Sequence, residues 1–275
     1  MLCSKGTSGN EQLYVLCHSL DSCHQAMGQF TYYSWGKHLY FMPSTNILET
    51  YFYTNVLENL LESSAHKPNW IGSISWKALE KTYLSVIDQM LSDKSLLQDG
   101  YDVLGFWTPS PFDPHYCNSS MHIHTEYAHG HTGLIQFITY ILRGIDETSE
   151  NISILHQPYP TFKSFYGSYF VARPTFMREY IAWIRKVMVF MAKDPIARTY
   201  VWSNSQYDGD ESVPFKVFGV TFYPLHPFIG ERLLQYFFNS RKASIALLFE
   251  YMEKNGITTD PYYYPCGWWL DMKYN

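Results

Sequence analysis

Charge is scarce in this chain: Asp, Glu, Lys and Arg together make up 16% of 275 residues, and no basic block gathers the 20 cationic side chains. With a net charge of -5 it lacks the electrostatic footprint of a nucleic-acid binder, so nucleic acid is not an expected partner. Cysteine is equally sparse. Cys3, Cys17, Cys23, Cys117 and Cys266 are scattered without a CxxC pair, which argues against a disulfide framework and against a cysteine zinc site. No apolar run approaches the length of a membrane span, and the opening "MLCSKGTSGNEQ" has no apolar core of a signal peptide. These absences point to a soluble protein of a reducing compartment, the cytoplasm. There the sequons at Asn118 and Asn151 would carry no glycan.

Familiar nucleotide and hydrolase signatures are missing as well. There is no GxxxxGK[ST] and no GxGxxG after the first apolar run, which disfavours P-loop and Rossmann dinucleotide chemistry. Without GxSxG the simplest serine-hydrolase arrangement is also absent. What the chain has in excess is aromatic surface, 18% of residues, including 24 Tyr and 8 Trp. Such side chains join an apolar face to a polar edge and suit a sugar-binding groove; a tyrosine-rich core is the competing reading.

Short apolar runs alternate with helical patterns, which predicts an α/β arrangement. Residues 13–19, 38–44, 70–75, 101–107 and 165–172 read as strands. Asn46 and Glu49 resemble a capping pair before a helix that carries Ile47, Leu48, Tyr51, Phe52, Val56 and Leu60. Trp76, Leu79, Tyr83, Val86, Ile87 and Met90 are spaced as one helix face. Further helices are expected from Gly133 to Arg143 and from Pro174, where proline suits a first turn. Residues 108–131 have little periodicity, and long irregular segments tend to be functional. With neither a repeat nor a low-complexity linker, a single domain over 1–275 is expected.

Within that irregular segment, "MHIHTEYAHGHTG" gathers His122, His124, Glu126, His129 and His131. Imidazoles with a carboxylate could hold zinc, could donate hydrogen bonds to phosphate or sugar oxygens, or could simply be solvated. Asp208-Gly-Asp210-Glu211 reads either as an exposed turn or as a DxD-type cation site. The most instructive carboxylate lies in "YPLHPFIGERLLQYFF", residues 223–238. At 100° per residue, Ile229, Leu233, Leu234, Phe237 and Phe238 form an apolar face, Arg232, Gln235 and Asn239 fall opposite, and Glu231 lies on the border. Placed in a first turn, Glu231 would complement the macrodipole; placed at the lip of a pocket, it would be a base.

Taken in order, "TNILETYFYTNVLENL", "NWIGSISWKALEKT", "TEYAHGHTGLIQF", "FYGSYFVARPTFMREYIAWIRKVM" and "FGVTFYPLHPFIGERLLQYFF" resemble blocks of GT-A-type glycosyltransferases. The similar groups are enzymes of capsular-polysaccharide synthesis and the capsid-glycan enzymes of chloroviruses and other large DNA viruses. The similarity spans residues 38–240, and its last block, "FIGERLL", stands where that group has "FGFLSERLL". Two departures matter. Ser75-Trp76-Lys77 replaces a His-Tyr-Arg segment, and Ser73-Ile74-Ser75 replaces the DxD of metal-dependent relatives.

The resemblance implies a GT-A-like fold with a mixed, mainly parallel sheet flanked by helices. It also implies inverting transfer of a sugar from a nucleotide sugar, with UDP-xylose or a UDP-hexose among the donors, to a hydroxyl of a glycan or glycoprotein. Were the enzyme viral, the host-cell cytoplasm would be its place. Glu231 is the expected base and Asp210 the second choice. His18 and Ser19 follow the first strand where the nucleotide would lie, with Ser73 beside it. His129, His131, Lys77 and Arg232 could hold the diphosphate, and Trp107, Tyr127, Tyr166 and Tyr169 the sugars. No protein-bound metal is expected, although Mn2+ or Mg2+ could accompany the diphosphate. Two other readings stay open: a lectin-like binding module and a histidine-zinc hydrolase.

Overall fold

A computed structural model describes residues 2–3, 11–17, 20–30, 39–41, 48–63, 68–75, 78, 82–106, 133–165, 168–206 and 219–257. Its strands are β1 (Leu2–Cys3), β2 (Glu11–Cys17), β3 (Leu39–Phe41), β4 (Trp70–Ser75), β5 (Val103–Gly105), β6 (Phe170–Ala172) and β7 (Ile245–Leu247). They form one sheet of 7 strands in the order β1-β3-β2-β4-β6-β5-β7. β2 runs parallel to both β3 and β4, and β5 runs parallel to β7. β6 is antiparallel to β4 and β5, and β1 is antiparallel to β3. The mixed α/β sheet expected from the sequence is therefore present.

Both faces of the sheet are covered, which is why β2 reads as an unbroken apolar run rather than an alternating one. Tyr14 and Leu16 enter one core cluster, whereas Leu13, Val15 and Cys17 enter the other. Helices α1 (Leu20–Phe30), α4 (Leu84–Ser92) and α11 (Leu248–Lys254) contribute to the second cluster. On the first face lie α2 (Leu48–Tyr51), a π-helical turn (Phe52–Leu57) and α3 (Glu58–Ser63), with α6 (Leu134–Gly144), α8 (Pro174–Lys193) and α10 (His226–Ser240). Shorter pieces complete the set: α5 (Lys94–Gln98), α7 (Ser149–Ser153) and α9 (Pro195–Val201). No described helix is long and apolar enough to cross a membrane.

β4 and β6 pair unusually closely at the sheet centre. A Cβ at Gly72 would fall 2.1 Å from the Phe170 carbonyl oxygen, so this register needs glycine. Just upstream of β6, Ser168 adopts a left-handed backbone, φ 56°, which L residues rarely take. That conformation is why β6 begins at Phe170 and not at Phe165 as the apolar run predicts.

Other expectations shift for local reasons. Of the helix predicted from Trp76, the described part is α4 from Leu84, preceded by an extended Tyr83 (φ -102°, ψ 99°) and by Thr82, whose hydroxyl donates to the Phe106 carbonyl. Pro174 does open α8, as its missing N–H allows. β7 and α11 escape the sequence pattern, since a buried three-residue strand running straight into a helix has no period of its own.

Candidate functional site

α10 begins five residues before Glu231, at His226, with proline in its first turn. The first turn holds no acidic residue, so Glu231 belongs to the second turn. There a macrodipole interaction has faded, and the helix-start explanation for its carboxylate loses its basis. Its position is set by packing. The Thr50 hydroxyl oxygen lies 3.1 Å from where a Gly230 Cβ would stand, so α10 and α2 approach closely at adjacent positions. Glu231 follows Gly230 and is half-buried there.

On the other side of that contact, α2 opens into the π-helical turn that carries Tyr53. π turns interrupt helices frequently at functional sites, because one extra residue re-aims the side chains that follow. Tyr53 is buried, and its hydroxyl lies 2.9 Å from Ser73 Oγ on β4. Burial pushes the Tyr53 phenol far up; the carboxylates of Glu49 and Glu231 push in the same direction, while hydrogen bonds with Ser73 and Ser168 oppose them. A neutral hydroxyl thus sits within electrostatic reach of two carboxylates that arrive on different helices. Tyr180 on α8 joins them edge-on, its ring centroid 5.7 Å from that of Tyr53.

Four of the residues named from the sequence fall in the described region, and each has a definite place. Ser73 is fully enclosed and engaged with Tyr53, so it supports the hydroxyl cluster instead of meeting a nucleotide. Tyr169 is 1% exposed and its hydroxyl lies 2.7 Å from Ser75 Oγ, which leaves no ring face for a sugar to stack on. Arg232 is 0% exposed and donates from Nη1 to the Phe228 carbonyl at 3.0 Å. That enclosure takes it away from the diphosphate it was expected to hold. Glu231 alone of the four keeps the half-open setting that a base requires.

The supposed polar face of α10 is buried throughout. Gln235 accepts from the Phe165 backbone N–H, and Asn239 brackets Lys163 by accepting from its N–H and donating to its carbonyl. Arg232 continues the same stripe one turn earlier. Polar residues at that spacing normally face water, but here Gln235 and Asn239 satisfy an inner segment of irregular backbone, a need that sequence periodicity does not register.

His18, Ser19, Lys77, Trp107, Tyr127, His129, His131, Tyr166 and Asp210 lie outside the described residues. So do the rest of the histidine cluster, His122, His124 and Glu126, and Asn46 of the expected capping pair. Among the described residues no group of three or more His, Cys, Asp or Glu is placed to hold a metal. At the carboxyl end of β4, Ser73 and Ser75 present two hydroxyls already engaged by Tyr53 and Tyr169. Hard divalent cations favour carboxylates, and this donor set does not fit one.

Sequence reasoning missed Glu49, Tyr53 and Ser168 as members of this cluster. Glu49 was legible only as a cap, Tyr53 only as one aromatic among many, and the left-handed turn at Ser168 leaves no trace in residue type. Compared with known proteins, the chain matches no family model, no curated protein and no solved structure.

Proposed function

We propose that this chain is a glycosyltransferase of GT-A type, in which Glu231 is the base and a nucleotide sugar, most simply a UDP-sugar, is the donor. The observation that carries this reading is a half-buried Glu231 next to Gly230, where α10 packs on Thr50 of α2, within electrostatic reach of the buried Tyr53–Ser73 pair near the carboxyl end of β4. Sheet order supports the same location. The chain leaves β2 for β3 on one side and later returns to β4 on the other, so the strand order reverses between β2 and β4. Open α/β sheets bind ligands in the crevice beyond the carboxyl ends of their strands at such a point. His18 and Ser19 directly follow β2, and Lys77 follows β4.

The chemistry suits one half-buried carboxylate. An acceptor hydroxyl gives its proton to Glu231 as its oxygen bonds to the anomeric carbon. The bond from that carbon to the diphosphate breaks, and its electron pair leaves on a phosphate oxygen. Attack from the opposite side inverts the anomeric centre. A positioned base of this kind contributes roughly 10²- to 10⁴-fold to rate. Fixed donors beside the leaving group hold its developing charge, the role assigned to Lys77, His129 and His131.

Nucleotide binding is the first test. A nucleoside diphosphate at about 100 times its dissociation constant should stabilise the native protein by about 2.7 kcal/mol, read as a rise in melting temperature. Melting unchanged by UDP, GDP, ADP, CDP and dTDP, each with and without Mn2+, would remove the transferase reading.

A further inference from the structure

Side chains of β2 alternate across the sheet, so Leu13, Val15 and Cys17 enter the second core cluster. α1 lies against that same cluster, and Cys23, Ala26 and Phe30, spaced three and four residues apart, form its inward stripe. The end of the strand and the start of the helix thus bring one cysteine each to a shared seam. Neither sulfur is in a disulfide. They are in hydrogen-bond contact: burial pushes the Cys17 thiol up, and the bond to Cys23 and its charge push it the same way. The two differ in access. Cys17 is 0% exposed, its Sγ 4.0 Å from the Val15 carbonyl oxygen, whereas Cys23 is half-buried beside the exposed His24 and Gln25. Cys23 is also the fourth residue of α1, where the helix start favours a thiolate. An enclosed sulfur in contact with a reachable one is the arrangement of a resolving thiol beside an attacking thiol.

We propose that Cys17 and Cys23 are a reversible thiol–disulfide pair, which a low-molecular-weight disulfide such as oxidised glutathione converts into a covalent bridge between β2 and α1. Cys23 acts first. It loses its proton, and its thiolate attacks one sulfur of the small disulfide; that S–S bond breaks, and its electron pair leaves on the other sulfur as a thiolate. The Cys17 thiol then gives up its proton and attacks the Cys23 sulfur, expelling the second small thiolate. Two protons and two electrons have left the protein, and the oxidant has become two thiols. Enclosure keeps Cys17 from meeting a diffusing oxidant, so it serves only in this second, internal step. The bridge closes the chain over residues 17–23, and an excess of a small dithiol reopens it by the reverse exchange. It is independent of the transferase reading.

The test uses the full-length protein with all five cysteines in place. It is incubated with oxidised glutathione, its remaining thiols are alkylated under denaturing conditions, and its peptides are mapped by mass without reduction. Residues 17 and 23 should be found joined, with a loss of two hydrogens and no glutathione retained on either, and dithiothreitol should return both to alkylatable thiols. Cys17→Ala should hold glutathione on Cys23 as a mixed disulfide, since the resolving sulfur is gone, whereas Cys23→Ser should leave Cys17 unmodified. Melting curves establish that each variant is folded; the map of the wild-type protein decides by itself if one is not. Wild type in which both thiols stay reduced, or in which Cys23 keeps glutathione without passing the bond to Cys17, would overturn the pair. So would a bridge from either residue to Cys3, Cys117 or Cys266 in place of this one.

Discussion

Single side chains near the site carry consequences that can be measured without any substrate. His226 is buried, and among the described residues its Nδ1 has no hydrogen-bond partner. Burial pulls its pKa down to about 4 from the ordinary 6.5, so the fold keeps the imidazole neutral. Above pH 6.5 the folded and unfolded chains are both neutral at this residue and it contributes no pH dependence. Below it the unfolded chain takes up a proton that the fold refuses, and stability declines until pH about 4. That span corresponds to about 3 kcal/mol. Urea unfolding of wild type between pH 7 and pH 4 should reveal this loss, and His226→Gln should flatten it. Tyr53→Phe removes the hydroxyl held by Ser73 and should cost about 1 kcal/mol in the same measurement. Glu231 was legible in the sequence as a border residue, but its turn was not. Pro227 stands in the first turn of α10 and so moves the helix start five residues upstream of Glu231. Arg232, Gln235 and Asn239 were read as facing outward because three polar residues at helical spacing usually do. For Gln235 and Asn239, the backbone of residues 163–165 lying against them explains why they are inside.

At the scale of elements, α10 is fixed by its buried polar stripe and by a carboxylate hub at its far end. Asn239→Ala would strand both the N–H and the carbonyl of Lys163, at a cost of about 2 kcal/mol, and should loosen the approach to Ser168. The hub is Glu147, which follows α6. It accepts from Trp183 Nε1 on α8 at 2.7 Å, from Arg241 Nη2 beyond α10 at 2.7 Å and from Asn151 Nδ2 at 3.1 Å. Burial raises its pKa, but the bonds from Arg241, Asn151 and Trp183 outweigh burial, and the carboxyl stays below the ordinary 4.5. Its contribution is therefore present above pH 4.5 and is lost as pH falls through the acid range beneath that value. Glu147→Gln should destabilise the protein by about 3 kcal/mol at pH 7, and the gap from wild type should close as the pH is lowered below 4 in chemical unfolding. Strong elements of this kind were the readable ones. Pro174 and the apolar stripe of α8 announce a long helix, and "WIGSIS" coincides with β4, because each is long enough to show its own period or run. The π turn at Phe52–Leu57 has no such signature, yet it aims Tyr53 at β4.

For the whole molecule, alternation of apolar runs and helices was enough to anticipate an α/β arrangement, while the mixed sheet flanked by helices was what the resemblance implied. It could not supply the insertion of antiparallel β6 between β4 and β5, which depends on glycine at position 72 and on the left-handed residue at 168. Nor could it bring residues 49, 53, 73, 168 and 231 together, since their convergence is a property of three packed layers and not of any segment. Glu231 is the one expected site residue whose setting within the described region suits its assigned role. The account therefore stands on its carboxylate. Its most direct test is a transfer assay over a panel of nucleotide sugars and methyl glycosides, run with and without Mn2+, on wild type and on Glu231→Gln at matched melting temperature. The account predicts transfer by wild type with inversion at the anomeric carbon, and a loss of about 100-fold or more in kcat for the variant. Transfer by Glu231→Gln at the wild-type rate would contradict it.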